Sequence, residues 1–174
     1  MGNIYLTGFM ASGKTTVGKA LAERLHKSFI DTDEEIVRDN ECSIADIFER
    51  EGEEAFRQME SELIEKLSIY EEQGISFVVS LGGGAIKSEK NIEFMKKSGT
   101  VILLYSNPEI TYERTKDDEN RPLLKNRHSV EGIKELMDER APLYEKAKDF
   151  TVNTDSGDIP AIVDEIMKLP GISE

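Results

Sequence analysis

Apolar residues along this chain gather into short clusters of two kinds, which alternate almost from end to end. "NIYLT" (Asn3–Thr7) is a strand-length run, and behind it Val17, Ala20, Leu21 and Leu25 recur on one helical stripe. Four more short runs, rich in Val, Ile and Phe, predict strands: "SFID" (28–31), "SFVVSL" (76–81), "TVILLY" (100–105) and "DFTVN" (149–153). Between them the spacing predicts helices over 33–40, 44–73 with a break near Gly52, 88–97, 108–115, 129–147 and 158–169. Ser43, Ser88, Ser129 and Asp158 stand where N-caps are expected, and Pro108 suits a first helical turn. Five strands separated by helices imply an α/β fold with a parallel sheet covered on both faces.

A length of 174 residues suits one domain, read as 1–174 without a cut. No apolar stretch approaches the roughly 18–20 residues that cross a bilayer, and the N-terminus lacks the basic start of a signal peptide. The one cysteine, Cys42, cannot form an internal disulfide and reads as a small residue near a helix start. His26 and His128 have no ligand set nearby and read as surface or lid positions. A cytoplasmic monomer is expected. The 35 acidic against 22 basic residues argue against a nucleic-acid surface, which needs a basic face. With a net charge of −13, an anionic ligand has to be held by a local group of cations.

The first strand and the first amphipathic helix are joined by "GFMASGKT" (8–15), which matches G-x-x-x-x-G-K-[ST] in the context that pattern requires. Gly8 and Gly13 permit a tight loop whose amides turn toward a phosphate at a helix N-terminus. Lys14 is expected to reach the β- and γ-phosphates, and the Thr15 hydroxyl to ligate Mg²⁺. A GTPase would want D-x-x-G after its third strand, but "FVVSL" leads into Gly82-Gly83-Gly84. "TKDD" (115–118) resembles a guanine-reading motif yet follows a helix instead of ending a strand.

Asp31 and Asp33 follow the second strand, at the end of a parallel sheet where ligands bind. As alternate residues they can converge, one supporting Mg²⁺ and the other accepting a hydroxyl proton; a cap role for Asp33 on a helix starting at Glu34 is the other reading and does not exclude catalysis. Gly82–Gly84 read either as a flexible turn or as a close approach whose amides donate to a substrate. "TKDDENRPLLKNRHS" (115–129) is polar, broken by Pro122, and reads as a surface lid carrying Arg121 toward the phosphates. Arg57, among the carboxylates of "GEEAFRQMESE", either pairs with Glu53 and Glu60 on a helix surface or points inward toward an anion.

Together, "GFMASGKTTVG", "DTD", "GEEAFRQME", "LGGG", "RPLL" and "ERAPLYEKAKDF" resemble shikimate kinase, in family order and nearly end to end. The resemblance implies the nucleoside-monophosphate-kinase-like fold, strand order 2-3-1-4-5, and transfer of the ATP γ-phosphoryl group to the 3-hydroxyl of shikimate. It makes Gly8, Ala11, Ser12, Gly13, Lys14, Thr15 and Thr16 the phosphate loop. Thr15 and Asp31 become the Mg²⁺ residues, with Ser80 alongside. Asp33 becomes the residue that binds and activates the hydroxyl. Arg57 and Arg140 hold the shikimate carboxylate, and Gly82, Gly83 and Gly84 line that pocket. Arg121 is the lid arginine, Arg114 stacks near adenine, and the loop around Thr154 and Asp155 completes the adenine site. Ala11 stands where the family often has glycine and is expected to fit without strain at negative φ. Tyr144 is expected to pack the last long helix on the sheet. The remaining readings are another small-molecule P-loop kinase, such as a gluconate kinase, and a nucleotide-binding regulator without turnover.

Overall fold

The computed structural model describes residues 2–117, 124 and 127–172. Five strands, β1 (Asn3–Thr7), β2 (Ser28–Asp31), β3 (Phe77–Ser80), β4 (Gly99–Tyr105) and β5 (Phe150–Asn153), form one sheet in the order 2-3-1-4-5. Every pairing is parallel; Leu6 stands opposite Ser80 and Ile102, and Asp31 opposite Ser80. The strands therefore end side by side, at the edge where the chain leaves β1, β2 and β3 for its loops.

Alternation along the strands builds a layer on each face. Tyr5, Val79, Val101 and Leu103 enter one core cluster with Phe56, Leu63, Ile64 and Leu67 of α4 (Gly52–Glu72) and Ile92 and Met95 of α5 (Glu89–Ser98). Ile4, Leu6, Val78, Ile102 and Leu104 face the opposite way. They meet Val17 and Leu21 of α1 (Lys14–Leu25) and Ile162, Val163 and Ile166 of the last helix. Strands buried on both faces need continuous apolar runs, which is the pattern this chain has.

Helix ends are set by local chemistry. α2 (Thr32–Asn40) is capped by Asp31, α3 (Ile44–Arg50) by a Ser43–Asp46 capping box, α5 by Ser88, α7 (Val130–Ala147) by Ser129 and α8 (Ile159–Met167) by Asp158. α6 (Pro108–Thr115) starts on proline, and the expected break near Gly52 separates α3 from α4. Tyr144 is buried in the core cluster beneath α7. Among the described residues, no helix is long and apolar enough to cross a membrane.

Candidate active site

Beyond Thr7 the chain turns through residues 8–13 and enters α1 at Lys14. Gly8 admits no side chain: a Cβ there would lie 2.4 Å from the Leu104 carbonyl oxygen and 2.6 Å from Ser12 Oγ. Lys14 Nζ donates to the carbonyls of Gly8 (2.9 Å) and Phe9 (3.2 Å), so its charge folds over the loop mouth. Ser12 Oγ is buried and has no hydrogen bond among the described residues. The expectation for Ala11 is corrected: its φ is +57°, in the left-handed region where a Cβ costs about 1–2 kcal/mol. The loop must turn its backbone inward here, and that need overrides the residue's own preference. The Ala11 carbonyl accepts from Arg114 Nη1 at 3.1 Å, and Arg114 Nη2 donates to the Thr154 carbonyl. Arg114 thus ties the phosphate loop to the end of β5.

Thr15 Oγ1 donates to Asp31 Oδ2 at 3.1 Å. The other Asp31 oxygen accepts from the amides of Asp33 (3.2 Å) and Glu34 (3.4 Å), so Asp31, and not Asp33, is the helix cap. The reading of the two aspartates as alternate strand positions is corrected with it: β2 ends at Asp31, and Asp33 lies in the first turn of α2. Among the described residues no three of His, Cys, Asp and Glu form a metal cluster. A hydroxyl beside a carboxylate still suits Mg²⁺, which keeps several waters and takes its other ligands from phosphates.

The first turn of α2 aims Asp33 at the glycines after β3. A Cβ on Gly82 would lie 2.4 Å from Asp33 Oδ1 and 2.9 Å from Glu60 Oε1, and neither oxygen has a hydrogen bond among the described residues. Burial raises the Asp33 carboxyl above its ordinary range and the Asp31 charge adds to this, while Lys14 and Arg57 oppose it. The Gly82 amide donates to Thr32 Oγ1 at 2.8 Å and braces the loop against α2, while Gly82, Gly83 and Gly84 all line the cleft.

Arg57 does both things that its sequence left open. Its Nη2 and Nε meet Glu53 Oε1 at 3.1 and 3.3 Å, and Nη1 meets Glu60 Oε2 at 3.0 Å. Held there, the guanidinium lines the same cleft as Lys14 and Asp33. Glu60 is not on a wet surface: it is 1% exposed. Burial lifts its pKa from an ordinary 4.5 to about 7, against the pull of Arg57 and with a further push from Asp33. Arg57 itself stays charged, because Glu60 and Glu53 together outweigh the effect of its burial. Arg140, from α7, reaches the Gly83 carbonyl at 3.4 Å and lies over the Phe9 ring. Lys14, Arg57 and Arg140 therefore converge on one cleft of about 690 Å³. Ile44, Phe48 and Phe56 form its apolar wall, with the two phenylalanine rings edge to face at 5.2 Å.

A smaller recess on the far side of the phosphate loop is lined by Ala11, Ser12, Gly13, Thr16, Arg114 and Thr154, where the adenine is expected. Asp155 does not line it. Its oxygens accept from the Asn107 amide and the side chains of Asn107 and Asn153, fastening the β5 loop to the start of α6. Arg121 lies outside the described residues, as does most of the lid at 118–123 and 125–126. Leu124, within the segment read as a polar surface loop, is buried against Phe9, Ile133 and Leu136.

Glu60 and the apolar wall are the features that sequence reasoning missed. For Glu60 a signal exists: it falls on the buried stripe Phe56, Glu60, Leu63, Ile64, Leu67 of α4, where a carboxylate is out of place. Phe48 carries a weaker one, since an exposed phenylalanine in a short helix is also common on ordinary surfaces.

A model of the shikimate kinase family matches residues 10–169. The chain is 44% identical over 155 residues to a shikimate kinase of Caldicellulosiruptor saccharolyticus, covering 89% of this chain and 87% of that one. The solved structure of shikimate kinase from Acinetobacter baumannii in complex with shikimate superposes with a TM-score of 0.83 at 39% identity, over 97% of this chain and 92% of that chain. A gluconokinase from Sinorhizobium meliloti, at 19% identity and a TM-score of 0.55 over 99% of this chain and 91% of that one, shares the fold alone. The chain belongs to the shikimate kinase family.

Proposed function

We propose that this protein transfers the γ-phosphoryl group of ATP to the 3-hydroxyl of shikimate, giving ADP and shikimate 3-phosphate on the route to chorismate and the aromatic amino acids. The observation that carries the assignment of roles is the convergence of Arg57, Arg140 and Asp33 on the cleft that also holds Lys14. One end of that cleft can pair with a carboxylate, the other can position a hydroxyl beside the phosphate loop.

Phosphoryl transfer passes through a loose transition state, so positioning and charge stabilisation carry most of the catalysis. Arg57 and Arg140 anchor the shikimate carboxylate, and a planar guanidinium suits this because it pairs with a carboxylate through two parallel hydrogen bonds. Asp33 orients the 3-hydroxyl and accepts its proton; its raised pKa makes it a better acceptor than an ordinary aspartate. Lys14 exchanges its bonds to the Gly8 and Phe9 carbonyls for the transferring phosphates. Mg²⁺, with Thr15 as ligand and Asp31 behind it, would neutralise phosphate charge. Phe48 and Phe56 keep water from the acceptor side. Arg121 and the lid around it would close over the nucleotide. Arg114, Thr154 and Thr16 support the adenine side, and Asp155 contributes only by holding that loop in place. The chain is read as one kinase domain acting as a cytoplasmic monomer.

The test is ADP release coupled to an acceptor panel with Mg-ATP saturating. Release that depends on shikimate and not on gluconate or other polyol acids supports the reading. Turnover with gluconate alone overturns it.

A further inference from the structure

Glu60 presents a difficulty for any carboxylate ligand that seats on Arg57. Three of the five N–H donors of Arg57 serve glutamates, Nη1 toward Glu60 and Nη2 and Nε toward Glu53, so a ligand carboxylate seats on the second N–H of each terminal nitrogen and shares the guanidinium with them. The two glutamates differ in what they can do when a competing anion arrives. The Glu53 side chain is 62% exposed and can turn to water. Glu60 has nowhere to go, because its side chain is 1% exposed and its second oxygen is enclosed beside Gly82 without a partner among the described residues. The charged groups that face it are Arg57 on its own helix, Asp33 from α2, and Lys87 from the 3-10 turn at 85–87. Arg140 contributes to the same cleft from α7.

A ligand carboxylate drawn onto Arg57 brings a second anion onto the cation that offsets the Glu60 charge, while Glu60 stays buried beside Asp33. A buried carboxylate that must share its counter-ion with another anion relieves the cost by taking up a proton. We propose that Glu60 takes up a proton from solvent when a carboxylate ligand seats on Arg57. Anion binding and protonation of this one buried group are then a single coupled event. The inference rests on the kinase reading only in its choice of shikimate as the anion.

The direction of the effect follows from linkage. Glu60 titrates near 7 in the free protein, and the ligand raises it further, so uptake is seen where the free group is still ionised. Near pH 7 the uptake is about half a proton per shikimate bound, and near pH 5, where Glu60 already holds its proton, it falls close to zero. A group that merely packed the helix would show neither.

Calorimetric titration of shikimate into the whole protein reads this directly, in PIPES, imidazole and Tris buffers at pH 7 and in acetate and piperazine buffers at pH 5. The expected result is an apparent binding enthalpy that varies with buffer ionisation enthalpy at pH 7 and much less at pH 5. In Glu60→Gln, shikimate still binds and the buffer dependence at pH 7 is lost. The wild-type titration decides the matter even where the variant folds poorly. Shikimate binding without buffer dependence at pH 7 overturns the inference and leaves the kinase reading standing. An unchanged buffer dependence in a folded Glu60→Gln assigns the proton elsewhere and also overturns it. No shikimate binding at all overturns both readings.

Discussion

Arg57 and Gly84 touch so closely that no side chain fits between them: a Cβ on Gly84 would lie 2.0 Å from Nη1 and 2.3 Å from Cζ of the guanidinium. The glycine gives the arginine its position from below, while Glu53 and Glu60 hold it from the side. Gly84→Ala is therefore expected to move the guanidinium and not the backbone, because the displaced atoms are the end of a flexible side chain and the Gly84 φ of −101° suits alanine. Steady-state kinetics should show the KM for shikimate raised about tenfold or more, a loss near 1.4 kcal/mol, with the KM for ATP little changed. Unfolding stability should fall by less than about 1 kcal/mol.

Asp33 faces the same glycine turn with one oxygen unpaired among the described residues. Replacing it by asparagine keeps the shape and removes the proton acceptor. Asp33→Asn is expected to lower kcat by about 10²-fold, the usual scale for acid–base residues. A near-normal kcat at saturating shikimate would remove Asp33 from the mechanism.

The left-handed backbone at Ala11 makes a prediction about stability. Ala11→Gly relieves about 1–2 kcal/mol of steric strain and gives back about 0.4–1 kcal/mol through the more flexible unfolded chain. A net gain of roughly 0.5–1 kcal/mol is expected, read as a higher urea midpoint at unchanged slope. A lower midpoint would contradict the strain.

Glu60 sets a component of the pH dependence of folding. Its pKa is higher folded (about 7) than its ordinary 4.5, so the folded state binds more protons between those values. The stability this provides is fully present below about 4.5 and is lost as pH rises through 7, an effect on the order of 3 kcal/mol. Urea titrations from pH 4 to pH 8.5 should show this fall in the wild type. The profile of Glu60→Gln should lack it. Parallel profiles for the two proteins would show that Glu60 is not the group responsible.

The phosphate loop and the sheet were legible because their signals are local. Gly8, Gly13, Lys14 and Thr15 stand at fixed spacing between an apolar run and an amphipathic stripe, and β1 to β5 each follow from a few adjacent residues. What escaped depends on contacts between distant segments. The Gly82 amide is taken by Thr32, fifty positions away, which no local pattern announces. Glu60 enters the sequence reading only in one of the two alternatives for Arg57, as a surface partner, whereas its place on the α4 stripe puts it in the core. Asp31 and not Asp33 is the cap because α2 starts at Thr32, directly at the strand end and two residues before the Glu34 start that an Asp33 cap required. Ala11 shows the reverse case, in which the loop imposes a conformation that alanine by itself disfavours.

The central claim is that Arg57, held by two glutamates and a glycine, is the anchor for the acceptor's carboxylate. It is tested most directly by the steady-state kinetics of Arg57→Ala with shikimate varied at saturating Mg-ATP. A bidentate pair in a cleft with an apolar wall is worth about 2–5 kcal/mol when one partner is removed, so kcat/KM for shikimate should fall roughly 30-fold or more while the KM for ATP moves little. Arg57→Lys should also be impaired, since an ammonium keeps the charge and loses the planar fork. An unchanged kcat/KM for shikimate in Arg57→Ala would contradict the account and leave this arginine as a partner of Glu53 and Glu60 alone.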